Sequence, residues 1–136
     1  MRPIVVDTSA LICILLDESE ALEFAHTIVE RDPCAISAAS VLEAHSIVLR
    51  RRIPAGVSRI GGLIVNLGLH VVTFDRQQLA TSITAYQLYG RGTGHPARLN
   101  MGDCFSYALA KTRNLPLLFK GDDFVHTDIT SALAAQ

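Results

Sequence analysis

A chain of 136 residues holds one domain with a sizeable core and leaves no room for a second. With 49% hydrophobic residues and a mean hydropathy of +0.31, it lies at the apolar end of soluble proteins, as expected of strands buried on both faces. A formal net charge of −1 excludes a global basic field, so any nucleic-acid contact must rest on local patches.

In chain order, Ile4-Val5-Val6 is a short apolar run that suits a buried parallel strand. Asp7-Thr8-Ser9 supplies N-cap chemistry for a first helix carrying Ala10, Leu11, Ile12, Ile14, Leu15 and Leu16. A second helix is expected over about residues 19–30, with Ala21, Leu22, Ala25, Ile28 and Val29 on one stripe and Pro33 closing it. Residues 34–36 read as the second strand, and Ser37 or Ser40 caps a helix carrying Glu43 to about Arg52. Pro54 opens another helix, interrupted by Gly61-Gly62 and ending near Gly68. Residues 69–74 read as a third strand, and Asp75 caps a helix over 76–89. After a Gly-rich loop at 90–96, Asn100 caps a helix to about Arg113. Residues 115–119 make the fourth strand, before a short helical turn, an edge strand at 127–129 and an Ala-rich tail. This alternation, without repeat or linker, predicts an α/β fold: a three-layer α/β/α sandwich with a mostly parallel central sheet, one domain over residues 1–136.

Five acids fall where such a fold gathers ligands. Asp7 follows the first strand, Glu43 rides an apolar helix, Asp103 opens another, and Asp122 and Asp123 follow the fourth strand. Carboxylates held close together repel unless a cation neutralises them, and hard oxygen donors select Mg²⁺ or Mn²⁺. Each acid also has a simpler role. Asp7 can cap a helix, although Thr8 or Ser9 serve equally well; Glu43 can face solvent; Asp103 can favour the helix dipole; Asp122 and Asp123 can shape a turn. Acids in all these positions at once favour a metal-dependent enzyme acting on a phosphate-bearing substrate. Of the adjacent pair, Asp122 is the expected fourth acid because it lies nearer the strand, leaving Asp123 to cap the turn at Phe124.

The three cysteines, Cys13, Cys34 and Cys104, form no zinc-ligand spacing and read as buried, reduced thiols. The chain opens with no signal-peptide pattern and holds no apolar run of spanning length, so a cytoplasmic location without membrane contact is expected.

Asp7-Thr8-Ser9-Ala10-Leu11 after an apolar strand resembles the opening motif of PIN-domain ribonucleases, and Ser40-Val41-Leu42-Glu43 resembles their second acidic motif. Asn100-Met101-Gly102-Asp103-Cys104-Phe105-Ser106-Tyr107-Ala108-Leu109-Ala110-Lys111 resembles the third, in the form found in VapC-type toxins of toxin–antitoxin pairs. Leu118-Phe119-Lys120-Gly121-Asp122-Asp123-Phe124, followed by Thr127-Asp128-Ile129, is similar to that subfamily's ending. The resemblance spans nearly the whole chain. It implies a Mg²⁺- or Mn²⁺-dependent endoribonuclease, the toxin of a type II toxin–antitoxin system, that forms a homodimer and is silenced by a VapB-type antitoxin. It further implies that Asp7 and Asp103 are principal metal ligands, Glu43 the third acid, and Asp122 or Asp123 the fourth.

On this reading one or two ions activate water for in-line attack on an RNA phosphodiester. Thr8 or Ser9 orients the nucleophile or a phosphate. Arg50, two turns from Glu43 and about 10 Å along the axis, holds a neighbouring phosphate, and Arg91 and Arg98 on the Gly-rich loop, with His95, grip RNA. No histidine falls in a motif. A haloacid-dehalogenase-like reading fails because Ser9 stands where a second Asp is needed, and a receiver-like reading lacks the acidic pair near the first strand. The alternative that survives is a catalytically silent PIN-like module that binds RNA or antitoxin; the filled acidic positions argue against it. Finally, Leu11, Ile14, Leu15, Leu22, Phe24 and Ile28, with the apolar part of residues 41–49, exceed what one sheet face needs, and predict surfaces for a second copy and for an antitoxin.

Overall fold

Successive residues of a strand serve opposite faces of its sheet, and the short strands of this chain divide their side chains accordingly. The computed structural model describes residues 2–133. In it β1 (Val5–Val6), β2 (Ala35–Ser37), β3 (His70–Val72) and β4 (Leu117–Leu118) run parallel in the order β3-β2-β1-β4. Val5 pairs with Ala35 on one side and Leu117 on the other, and Ile36 pairs with Val71. Ile4, Val6, Ile36 and Leu118 pack against α1 (Thr8–Leu15), α2 (Ala21–Glu30), α3 (Ala38–Arg50) and α4 (Gly56–Asn66). Val5, Ala35 and Leu117 face α5 (Arg76–Tyr89) and α6 (Met101–Arg113). The layers and the parallel sheet are those expected from the alternation of elements.

Local chemistry sets the helix starts that matter. Asp7, Ser37, Asp75 and Asn100 each accept a backbone N–H in the first turn of α1, α3, α5 and α6 respectively. Ser37, not Ser40, is therefore the cap of α3, and Asp7 itself, not Thr8 or Ser9, caps α1.

Several expectations need correction. Gly61-Gly62 does not interrupt α4, which runs unbroken through both: each glycine faces solvent, while Ile60 is fully buried and anchors the helix. The helix starts at Gly56, after a left-handed Ala55, rather than at Pro54. Gly56 is where the backbones of α3 and α4 meet, for a Cβ there would lie 2.7 Å from Val48 Cβ. In α2 the buried stripe is Ala21, Phe24 and Ile28, which takes the largest side chain inward, while Leu22 and Val29 face solvent. The strands are shorter than the apolar runs suggested, β3 most clearly: it pairs on one side only, with β2. Pairing beyond β4 falls not at residues 127–129 but at Ser131, which bridges Leu117. The end of the Ala-rich tail lies outside the described residues. The three cysteines are buried and unpaired, and among the described residues no helix is long and apolar enough to cross a membrane.

Candidate active site

The C-terminal end of β1 delivers Asp7 into a crevice walled by α1, α3 and α6. Its backbone N–H bonds Leu118 O at 2.9 Å, which fixes the strand end. Its side chain is only 3% exposed. Oδ2 accepts from Ser9 N at 3.0 Å and Ser9 Oγ at 2.6 Å, and Oδ1 accepts from Ser106 Oγ on α6. Ser9 Oγ also accepts Lys120 N at 2.9 Å, tying the exit of β4 to the start of α1. Burial raises the Asp7 pKa, and the Ser106 and Ser9 donors only partly offset that rise.

Asp103 enters from α6. It forms a capping box with Asn100: Asp103 N donates to Asn100 Oδ1 at 2.8 Å, and Asn100 N donates to Asp103 Oδ2 at 3.0 Å. The dipole-favoured position read from the sequence is therefore real, yet it does not make Asp103 comfortable. Burial, then the negative charges of Asp7 and Asp123, lifts its pKa to about 8.

Glu43 reaches in from α3 and is half-buried, not solvated. Its pKa is raised first by burial and then by Asp7, with the Thr8 hydroxyl and the Arg50 charge opposing. Arg50, on the same helix seven residues on, supplies that opposing charge. Thr8 Oγ1 donates to Ser40 O at 3.1 Å, stitching α1 to α3. The Glu43 carboxylate lies directly over Gly102, where a Cβ would stand 1.7 Å from Oε2. Gly102→Ala should therefore leave the fold intact but drive Glu43 out of the crevice, lowering RNA cleavage about ten-fold or more. A cleavage assay beside a thermal melt checks this; full activity in the folded variant removes Glu43 from the site.

Of the adjacent pair at the β4 exit, the neighbour of Asp103 is the one not expected. Asp123, not Asp122, stands beside Asp103 and raises its pKa by charge and hydrogen bonding. The cause is Phe124, which is 2% exposed and packs against Phe119 with ring centroids 5.0 Å apart, so that the turn is anchored one residue past Asp123. Asp122 instead offers its carbonyl to Val125 N within that turn. Arg91 and Arg98 are exposed and bonded to each other, Arg91 Nε to Arg98 O at 3.4 Å; among the described residues neither pairs with the acids.

The acids adjoin in pairs, Asp7 with Asp103 and Glu43, and Asp103 with Asp123. Among the described residues no three of them stand close enough together to hold one ion. The donor set nonetheless fits a hard divalent cation: it is all oxygen, and burial with mutual repulsion disposes its members to take a positive charge. The sequence reading missed Ser106 and Ser40, whose hydroxyls lie 3.2 Å apart beneath Asp7, and the role of Gly102. A glycine in the first turn of a helix is a poor helix former, which was the one available signal for it.

Residues 4–129 match the PIN domain. The chain belongs to the PIN-domain family. Within that family it groups with VapC ribonucleases. It is 44% identical over 129 residues to Ribonuclease VapC42 of Mycobacterium tuberculosis, covering 94% of this chain and 98% of that one. It is 43% identical over 129 residues to Ribonuclease VapC28 of the same organism, covering 95% and 97%. Among solved structures it resembles VapC20 of Mycobacterium tuberculosis, described as a Sarcin-Ricin loop cleaving toxin, with a TM-score of 0.71 at 14% identity over 93% of this chain and 96% of that one. It also resembles a chain of a toxin–antitoxin complex from Klebsiella pneumoniae, with a TM-score of 0.58 at 18% identity over 97% and 99%. At those identities the two structures speak for the fold.

Proposed function

We propose that this PIN-domain chain is a divalent-metal-dependent endoribonuclease that hydrolyses RNA phosphodiesters as the toxin of a type II toxin–antitoxin pair. The observation that carries the reading is the buried Asp7–Asp103 pair, two acids from distant parts of the chain whose pKa values are both raised in one crevice. A silent binding module has no use for such a costly arrangement, since buried unpaired charge destabilises the fold. Mg²⁺ or Mn²⁺ would be the cofactor, held directly by Asp7 and Asp103, with Glu43 and Asp123 reached through coordinated water. When bound, the ion lowers the pKa of a coordinated water and stabilises negative charge on the phosphate.

The chain's own groups do the rest. Ser9 and Ser106 hold the Asp7 carboxylate, and Ser9, bonded to the Lys120 backbone, keeps the β4 exit in register with it. Thr8 ties α1 to α3, and the capping box holds Asp103 in place at the start of α6. Arg50, exposed beside Glu43, offers a positive charge to a neighbouring phosphate; Arg91 and Arg98 serve RNA farther along its path. Incubating the purified protein with RNA tests the reading. Cleavage should cease in EDTA and return with excess Mn²⁺, while cleavage that persists in chelator contradicts it.

The partners we propose are RNA, a VapB-type antitoxin and a second copy of the chain, all met in the cytoplasm. The expected docking surface among the early helices is reduced, because Leu11, Phe24 and Ile28 are core residues. A better surface for the second copy lies between α5 and α6, where a groove of about 450 Å³ is lined by Phe74, Leu79, Ile83, Tyr86, Met101 and Phe105. Exposed Leu42 and Leu49 on α3, beside Arg50 and Arg51, remain for the antitoxin. Light scattering at micromolar protein should report a dimer; a monomer throughout contradicts the pairing.

A further inference from the structure

The hydrogen bonds around Asp7 constrain more than its position. An ionised carboxylate has about four lone-pair sites, two on each oxygen. Oδ2 receives two donors, Ser9 N–H at 3.0 Å and Ser9 O–H at 2.6 Å, so its sites are filled. Oδ1 receives Ser106 O–H from α6 and, among the described residues, no second donor at hydrogen-bond geometry. A serine hydroxyl has a single proton, and Ser106 commits it to Asp7. The contact at 3.2 Å between Ser40 and Ser106 must therefore run from Ser40 Oγ to Ser106 Oγ. Both serines are fully buried, so no solvent competes for the chain Ser40→Ser106→Asp7, which spans three elements.

We propose that Ser106, steadied by Ser40, is a positioning residue: with Oδ2 already engaged by Ser9, its donation to Oδ1 fixes the carboxylate so that Asp7 offers a divalent ion that single oxygen rather than a bidentate pair. The inference rests on the metal-dependent reading above. It adds selectivity to that reading. Ca²⁺ takes six to eight oxygens and readily uses bidentate carboxylates, whereas Mg²⁺ keeps near-octahedral geometry, few carboxylates and several waters; Mn²⁺ shares the octahedral oxygen preference. An Asp7 restricted to one oxygen therefore discriminates against Ca²⁺. Loss of the Ser106 hydroxyl releases that hold and lets the carboxylate turn away from Ser9, so that both oxygens can reach one ion.

Calorimetric titration of chelator-stripped protein with Mn²⁺ and with Ca²⁺ reads this without reference to cleavage. Wild type should bind Mn²⁺ in preference to Ca²⁺. Ser106→Ala should bind Mn²⁺ about ten-fold or more weakly, the usual scale for a group that orients a metal ligand, while Ca²⁺ binding changes little, so the Mn²⁺/Ca²⁺ ratio falls. Ser40→Ala, which keeps the Ser106–Asp7 bond, should shift the ratio the same way by less. A folded Ser106→Ala protein with the wild-type ratio overturns the inference and leaves the metal reading standing. Should Ser106→Ala fail to fold, a wild-type ratio in Ser40→Ala overturns it. A wild type that binds neither ion overturns both.

Discussion

Asp7→Asn should lower RNA cleavage about a thousand-fold, the scale of losing several kcal/mol of metal-borne charge stabilisation. Asn is nearly the same size, and its carbonyl oxygen still accepts from Ser9 or Ser106, so the fold should survive. RNA affinity should hold or rise slightly, because a negative charge near the phosphates is gone. Cleavage kinetics and RNA binding measured on the same preparation separate the two effects. If cleavage and binding fell together, Asp7 would be a docking or structural residue, and the silent-module reading would gain ground.

Asp103→Asn should make the metal-free protein more stable, and the gain should depend on pH with a defined sign. The Asp103 pKa rises from 3.8 to about 8 on folding. Between those values the folded chain binds more protons than the unfolded one, so stability is fully present below about pH 4 and is lost as pH rises toward 8. Asn removes that loss. Because part of the rise comes from the neighbouring charges of Asp7 and Asp123, which can rearrange, the gain expected at pH 7.5 is about 2 kcal/mol, on the order of 6 °C in melting temperature for a chain of this size. The capping box persists, since an Asn carbonyl can accept from Asn100 N. Melts in EDTA from pH 5 to 8 should diverge as pH rises, with wild type falling behind. Saturating Mn²⁺ should reverse the order by stabilising only the protein that binds it. Parallel melts across that range would deny Asp103 its shifted pKa.

Much of the architecture was legible because the signals were local. Strand alternation, and the caps Asp75 and Asn100, marked α5 and α6 to the residue. Where a boundary depended on tertiary contact, sequence reasoning failed. Nothing in Gly61-Gly62 says that both glycines face solvent while Ile60, Leu63 and Ile64 hold α4 to the core. The stripe on α2 was placed one step around the helix, because Phe24 and Leu22 are equally apolar and only packing chooses between them. At the site, motif and strand-end position singled out Asp7, Glu43 and Asp103, which the fold brings near one another. Which of Asp122 and Asp123 stands beside Asp103 was not legible, since it turns on where Phe124 is buried. Ser106 stayed hidden for a similar reason: ninety-nine residues separate it from Asp7, and a serine on an apolar helix face carries no mark of its partner.

Manganese-soaked crystals of the wild-type protein, measured at a wavelength where Mn²⁺ scatters anomalously, test the central claim most directly. An anomalous peak about 2.0–2.2 Å from Asp7 Oδ1 and from an Asp103 oxygen, the separation expected for a small octahedral ion, with Glu43 and Asp123 on its near side, is the result predicted here. A protein that cleaves RNA while its only anomalous peak lies away from Asp7 and Asp103 would contradict the account.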